Sequence, residues 1–219
     1  IFGGTQMPNL NWQSLYTFGG SCSQSGKISN TNFCEGLNGE IYYAYCDNAM
    51  TNIVKITNDS IIDIIADSLP GVEIKSLTFH DSTLYVANSQ YVYKYNSNIL
   101  SDLNFQNTGV QSIKTLELNN DGVPYVVSLE GINYGAIYKY LNNSWHSITD
   151  SIYFWTSQGR DFLDFGSNNT GYFLAENISS GGLSIYKLEN DSVILFNDFS
   201  STIDMSHYVY ALELDNLDN

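Results

Sequence analysis

The sequence predicts an all-β fold: a β-propeller of four-stranded antiparallel blades, five in number, with the last blade shared by both chain termini. Three observations carry that prediction. A hydrophobic–aromatic–Lys–hydrophobic element recurs as IVKI at 53–56, VYKY at 92–95, IYKY at 137–140 and IYKL at 185–188. A segment of alternating apolar residues precedes each later copy, as IKSLTF at 74–79, IKTLEL at 113–118 and RDFLDF at 160–165, with a further VYALEL at 209–214. The composition is that of strands, with 17 Tyr, 11 Phe and no long stretch of Ala, Glu, Lys and Arg.

Each element of the repeat follows from local chemistry. The alternating segment, strand a, has the period of two that marks a strand with one face buried. A tight turn follows it. Asp121–Gly122 suits the positive φ angles of a two-residue hairpin turn, and Asn38–Gly39 occupies the same place in the first copy. An aromatic strand b comes next, in HDSTLYVAN, NNDGVPYVV and NNTGYFLAE. A longer loop leads to the Lys element, strand c, and a polar turn to strand d, as in NNSWHSIT at 142–149 or ENDSVILF at 189–196. Four strands in roughly 40–50 residues is the size of a propeller blade. Helical solenoids need a 3.6-residue period, which is absent, and a sandwich would not repeat the same four-strand unit.

Strand a recurs near Phe33, Leu77, Leu116, Leu163 and Leu212. NLNWQSLYTF at 9–18 lines up with NNSWHSITD at 142–150, placing Trp12 with Trp145. The N-terminus is therefore expected to supply the outer strand of the closing blade, which removes an exposed sheet edge. Residues 1–219 are expected to form one domain.

LYVAN at 84–88 resembles the start of a YVTN/NHL-type propeller repeat, and the whole chain resembles irregular propeller blades. It departs from that pattern after the pentapeptide, and it lacks the Gly–Gly pairs of kelch blades and the Trp–Asp endings of WD40 blades. The resemblance implies a fold and carries no functional residue across.

The formal charge of −15, from 23 acidic against 8 basic residues, repels phosphate backbones and anionic lipid surfaces. Nucleic acid is thus not an expected partner. No run reaches the roughly 18 apolar residues of a membrane span, so no membrane insertion is expected. The chain opens on Ile1, as a cleaved secretory leader or other trimming would leave it, and five sequons begin at Asn58, Asn142, Asn168, Asn177 and Asn190, which a chain this rich in Asn, Ser and Thr also produces by chance. An extracytoplasmic location is the expectation. Of the three cysteines, Cys22 precedes the first strand a and Cys46 ends strand b, which returns to the same face; a Cys22–Cys46 disulfide is expected, with Cys34 free and buried.

The polar residues that punctuate strand a are Thr78, Glu117, Asp164 and Glu213. Strand a lines the axis of a propeller, so Glu117, Asp164 and Glu213 are candidates for a convergent set that binds a ligand or cation, or works as paired glycosidase acids. The plainer reading is solvated charges, paired with Lys75 or Lys114. A second candidate is YFWTSQGRD at 153–161, where Trp155 offers a stacking plane and Arg160 is the chain's single arginine. Its plainer reading is a Trp wedged between blades and an Arg bridging to Asp161. No zinc spacing, nucleophile elbow or nucleotide loop occurs, and no cofactor is expected. The expected function is a non-catalytic module that holds a protein partner, as scaffold or envelope subunit. Its alternatives are glycan binding or a glycoside hydrolase-like activity through the axial carboxylates.

Overall fold

The computed structural model describes residues 33–47, 50–57, 61–71, 73–110, 112–130, 134–153, 163–177 and 182–198. These form four antiparallel sheets, each built from four consecutive strands. The first contains β1 (Phe33–Glu35), β2 (Ile41–Asp47), β3 (Met50–Thr57) and β4 (Ile61–Pro70). The second contains β5 (Ile74–His80), β6 (Thr83–Asn88), β7 (Val92–Asn96) and β8 (Ile99–Asp102). The third is β9 (Ser112–Leu118), β10 (Pro124–Glu130), β11 (Tyr134–Leu141) and β12 (Ser144–Tyr153). The fourth is β13 (Leu163–Phe165), β14 (Gly171–Asn177), β15 (Gly182–Glu189) and β16 (Ser192–Asp198). A 3-10 turn at Phe105–Thr108 joins the second sheet to the third.

The predicted strands a, b, c and d thus appear in order in every sheet, with the Lys elements on β3, β7, β11 and β15. First strands pack on first strands, β1 on β5, β5 on β9 and β9 on β13. The sheets are therefore blades arrayed about their innermost strands, with β4, β8, β12 and β16 on the rim.

Among the described residues, three apolar cores lie between successive blades. Tyr42, Ala44 and Ile53 of the first blade meet Ile74, Leu77, Leu84 and Val86 of the second. Tyr85, Ala87 and Val92 of the second meet Ile113, Leu116 and Val126 of the third. Tyr125, Val127 and Leu129 of the third meet Leu163, Phe173 and Ala175 of the fourth. Neighbouring residues of β6 and β10 point to opposite blades, because side chains alternate across a sheet. Both faces of these strands are covered, so Thr83–Asn88 is buried along its whole length. Strands covered on both faces read as continuous apolar runs.

One predicted turn is corrected. In the Asn119–Val123 loop only Gly122 has positive φ, while Asn119 N–H donates to Val123 O at 3.1 Å and Gly122 N–H to Asn119 O at 2.9 Å. The pair Asp121–Gly122 is therefore not a two-residue turn with both residues left-handed. The same loop recurs at Gly36–Glu40 and Gly166–Thr170, with Gly39 and Asn169 left-handed. Two-residue turns with both φ positive occur instead between strands c and d, at Ser97–Asn98, Asn142–Asn143 and Asn190–Asp191. The expected fifth blade and its closure by both termini rest on residues 1–32 and 199–219, which lie outside the described residues.

Candidate functional site

Register brings the predicted inner-strand residues to one level. Thr78 on β5 faces Tyr85 on β6, Glu117 on β9 faces Tyr125 on β10, and Asp164 on β13 faces Tyr172 on β14. Cys34 on β1 faces Tyr42 on β2, so the first blade contributes a thiol at this level. All four are partly buried. Thr115 Oγ1 donates to Glu117 Oε1 at 3.4 Å, and the Phe165 N–H donates to Asp164 Oδ1 at 2.8 Å. Burial pushes the Cys34 thiol up to about 12, so it stays protonated at neutral pH and is a poor nucleophile. Glu213, the third predicted carboxylate, lies outside the described residues.

The same rows continue outward. Each of these tyrosines faces a repeat lysine on strand c: Tyr42–Lys55, Tyr85–Lys94, Tyr125–Lys139 and Tyr172–Lys187. Lys94 and Lys139 lie over the rings of Tyr85 and Tyr125, at 5.9 and 5.7 Å from the centroids. Lys139 also reaches Asp191 of the next blade at 2.9 Å, while Lys55 pairs with Glu40 and Lys187 with Glu189. The recurring lysines thus have a structural occupation. The tyrosines were the unread half of the signal, one in each aromatic strand b.

Of the two lysines expected near the inner carboxylates, Lys75 holds Glu73, with Nζ 2.6 Å from Oε1. Both lysines belong to the inner strands, two and three residues before the apolar–polar pairs Leu77–Thr78 and Leu116–Glu117. In the β5–β6 ladder Ile74 faces Asn88 and Ser76 faces Ala87, which leaves Lys75 as an extra residue. In the β9–β10 ladder Ile113 faces Ser128 and Thr115 faces Val127, which leaves Lys114 as an extra residue. Two consecutive blades therefore carry a β-bulge at a lysine. No sequence pattern marks a bulge, but the shared IKS and IKT triplets were its visible trace.

Trp155 and Arg160 fall in the β12–β13 connection, outside the described residues, as does Cys22. Cys46 is the penultimate residue of β2, opposite Thr51 of β3. Among the described residues no group of three or more His, Cys, Asp or Glu is placed to hold a metal ion. No helix among them is long and apolar enough to cross a membrane.

No protein-family model matches the chain, and a search of curated proteins returns no match. Solved structures do match it. Virginiamycin B lyase from Staphylococcus aureus superposes with a TM-score of 0.52 at 14% identity, over 75% of this chain and 54% of that one. A puromycin-hydrolyzing peptidase of Mycobacterium tuberculosis gives 0.53 at 11% identity, over 76% and 30%. The N-terminal domain of Nup159 gives 0.51 at 10% identity, over 80% and 45%. This chain therefore spans about half or less of each of those chains. What they share with it is the fold: the chain is a propeller-type repeat protein of four-stranded antiparallel blades. At such identities function does not transfer with the fold.

Proposed function

We propose that this protein is a non-catalytic binding or scaffolding propeller that works outside the cytoplasm and holds a protein partner, as a subunit of an envelope or surface assembly. The observation that carries this reading is the apolar rim. Ile64 on β4 is 71% exposed, Ile99 on β8 66%, and the run Ile194–Phe196 on β16 about half. Among the described residues, β4, β8, β12 and β16 pair on one side only, which leaves an edge to which an extended partner segment can add. Apolar side chains clustered at such edges mark contact surfaces. The N-terminal domain of Nup159, at 10% identity, shares the architecture alone.

The test replaces Ile64 and Ile99 by Lys together. Lysine suits an edge strand, so Tm should stay within about 2–4 °C of wild type. Cross-linking in the native envelope should capture a discrete partner with the wild-type protein and not with the double variant. Equal capture by both proteins refutes the rim reading.

A second reading rests on a different observation, the common level of Glu117 and Asp164 on inner strands that pack together. It is glycan binding or glycoside hydrolysis, with Glu213 as the third carboxylate and Trp155 and Arg160 as sugar contacts. It requires turnover of an aryl glycoside panel that Glu117→Gln and Asp164→Asn each abolish; a glycan-array signal without turnover leaves glycan binding alone.

A further inference from the structure

We infer that the axis of the molecule, where β5 and β9 begin, holds a site for the carboxylate of a small ligand, gripped by Lys75 and Lys114. This goes beyond the rim reading and stands or falls independently of it.

The placement is built, not incidental. Each lysine is the extra residue of a β-bulge, so it escapes the alternation that commits its neighbours to one blade face or the other. The effect shows in the flanking residues. Ile74 and Leu77, three apart, enter the same core, and so do Ile113 and Leu116. The two strands are tied beside the lysines: Ser76 Oγ and Thr115 Oγ1 are hydrogen-bonded at 3.2 Å, and the Leu116 N–H donates to Ser76 Oγ at 2.9 Å. Ser76 and Thr115 are buried, which fixes the spacing of the two strands at this point. Bulges recur beside functional sites because they re-aim a side chain.

The charges do not balance. Glu73 neutralises Lys75 from a backbone with φ of 60°, a conformation that costs a non-glycine residue energy. Lys114 is partly buried, and among the described residues it makes none of the ion pairs or ring contacts that occupy the other lysines. Burial first, and the Lys75 ammonium second, lower its pKa, with Glu73 opposing. In a chain with only 8 bases against 23 acids, two lysines at matching bulges of adjacent inner strands, one of them bonded to Glu73, form an arrangement that costs the protein stability. An anion reverses that cost.

The ligand class follows from the count. Among the described residues, the ammonium groups of Lys75 and Lys114 and the Glu73 carboxylate leave a single positive charge, which a monoanion neutralises. A dianionic phosphate would overshoot it inside a molecule of charge −15. Ammonium groups bind as point charges with rotatable donors and do not demand the planar fork of a guanidinium. A carboxylate fits, whether carried by a uronic acid or by a small organic acid.

The experiment is calorimetric titration of the wild-type protein, Lys114→Met and Lys114→Arg at low salt with D-glucuronate, L-lactate and inorganic phosphate. Saturable binding of glucuronate alone assigns an acidic saccharide, and binding of both carboxylates an organic acid site. Lys114→Met should weaken that binding about tenfold or more, and Lys114→Arg should keep it within about threefold. Without ligand, Lys114→Met should raise Tm, because it removes a partly buried charge that no ion pair among the described residues answers. The proposal is overturned by the absence of saturable carboxylate binding, by preferred binding of phosphate, by unchanged affinity in Lys114→Met, or by a lower Tm in that variant.

Discussion

Glu40 shows what one side chain does in a tight loop. Its carboxylate accepts the Asn38 N–H at 2.8 Å and faces Lys55 Nζ at 3.4 Å. The Asn38 N–H first, then the backbone N–H of Glu40 itself, with smaller help from the Asn38 side chain and Lys55, hold its carboxyl down at about 2 against an ordinary 4.5. A lowered folded-state pKa means that the group stabilises the native protein fully above its unfolded pKa and loses that contribution as pH falls through the folded value. Wild type should therefore exceed Glu40→Gln in Tm above about pH 4.5, with the difference closing as pH falls toward 2; a constant difference across thermal scans in that window would contradict the assignment. Asn88 is the buried counterpart. Its amide donates to Pro70 O at 2.9 Å and Thr51 Oγ1 at 3.3 Å and accepts from the N–H groups of Gln90 and Tyr91 at 3.0 and 2.8 Å. It closes the LYVAN segment as a fully satisfied polar junction between the first two blades. At this scale the sequence exposed the repeat lysines but not what they touch, since Tyr42, Tyr85, Tyr125 and Tyr172 become their partners only through strand register.

At the scale of elements, the loops between strands a and b carry the interlocking of blades. Asn120 N–H donates to Asn169 Oδ1 at 2.8 Å, Asn120 Nδ2 to Gly166 O at 2.6 Å, and Asn169 Nδ2 to Asp121 Oδ2 at 2.8 Å. On the other side of the same loop, Gly122 has φ of +71° and lies against the His80 ring, where a Cβ would collide. Gly122→Ala should therefore cost about 1–3 kcal/mol, read from urea unfolding. His80→Ala in the same chain should recover the steric part and leave the backbone part, so full recovery would show that φ carries no strain. Between strands c and d, both residues of each described two-residue turn are left-handed, which favours Asn and Asp. That requirement explains why Asn142 and Asn190 stand where sequons begin. Turn positions were thus legible, whereas turn types were not: Asp-Gly reads as a two-residue turn until the hydrogen bonds show a longer loop.

At the scale of the molecule, blades stack by filling one another's faces. Phe105 is 1% exposed and meets Tyr138 and Trp145 edge-on, with ring centroids 5.5 and 5.0 Å away. Trp145 Nε1 donates to Leu103 O at 2.9 Å, so the connection from the second blade is clamped to the third. Phe105→Ala should cost about 3–5 kcal/mol. If the blades unfold as one unit, urea midpoints read by tryptophan fluorescence and by far-UV circular dichroism should fall together. Separate midpoints would show blades that behave as near-independent repeats.

Strand identity, strand order and the size of the repeat were determined by the amino-acid sequence alone, because periodicity, turn residues and the recurring Lys element are local properties that survive in one dimension. The register shared by Glu117 and Asp164 followed from the same repeat, since each faces the tyrosine of its strand b. Only the tertiary structure decided that Lys75 and Lys114 sit on bulges and that Glu73 answers one of them, because a ladder skips a residue only when two strands are paired. It likewise decided which face of each strand meets which blade, as burial on both sides erases the alternation from which a face could be read.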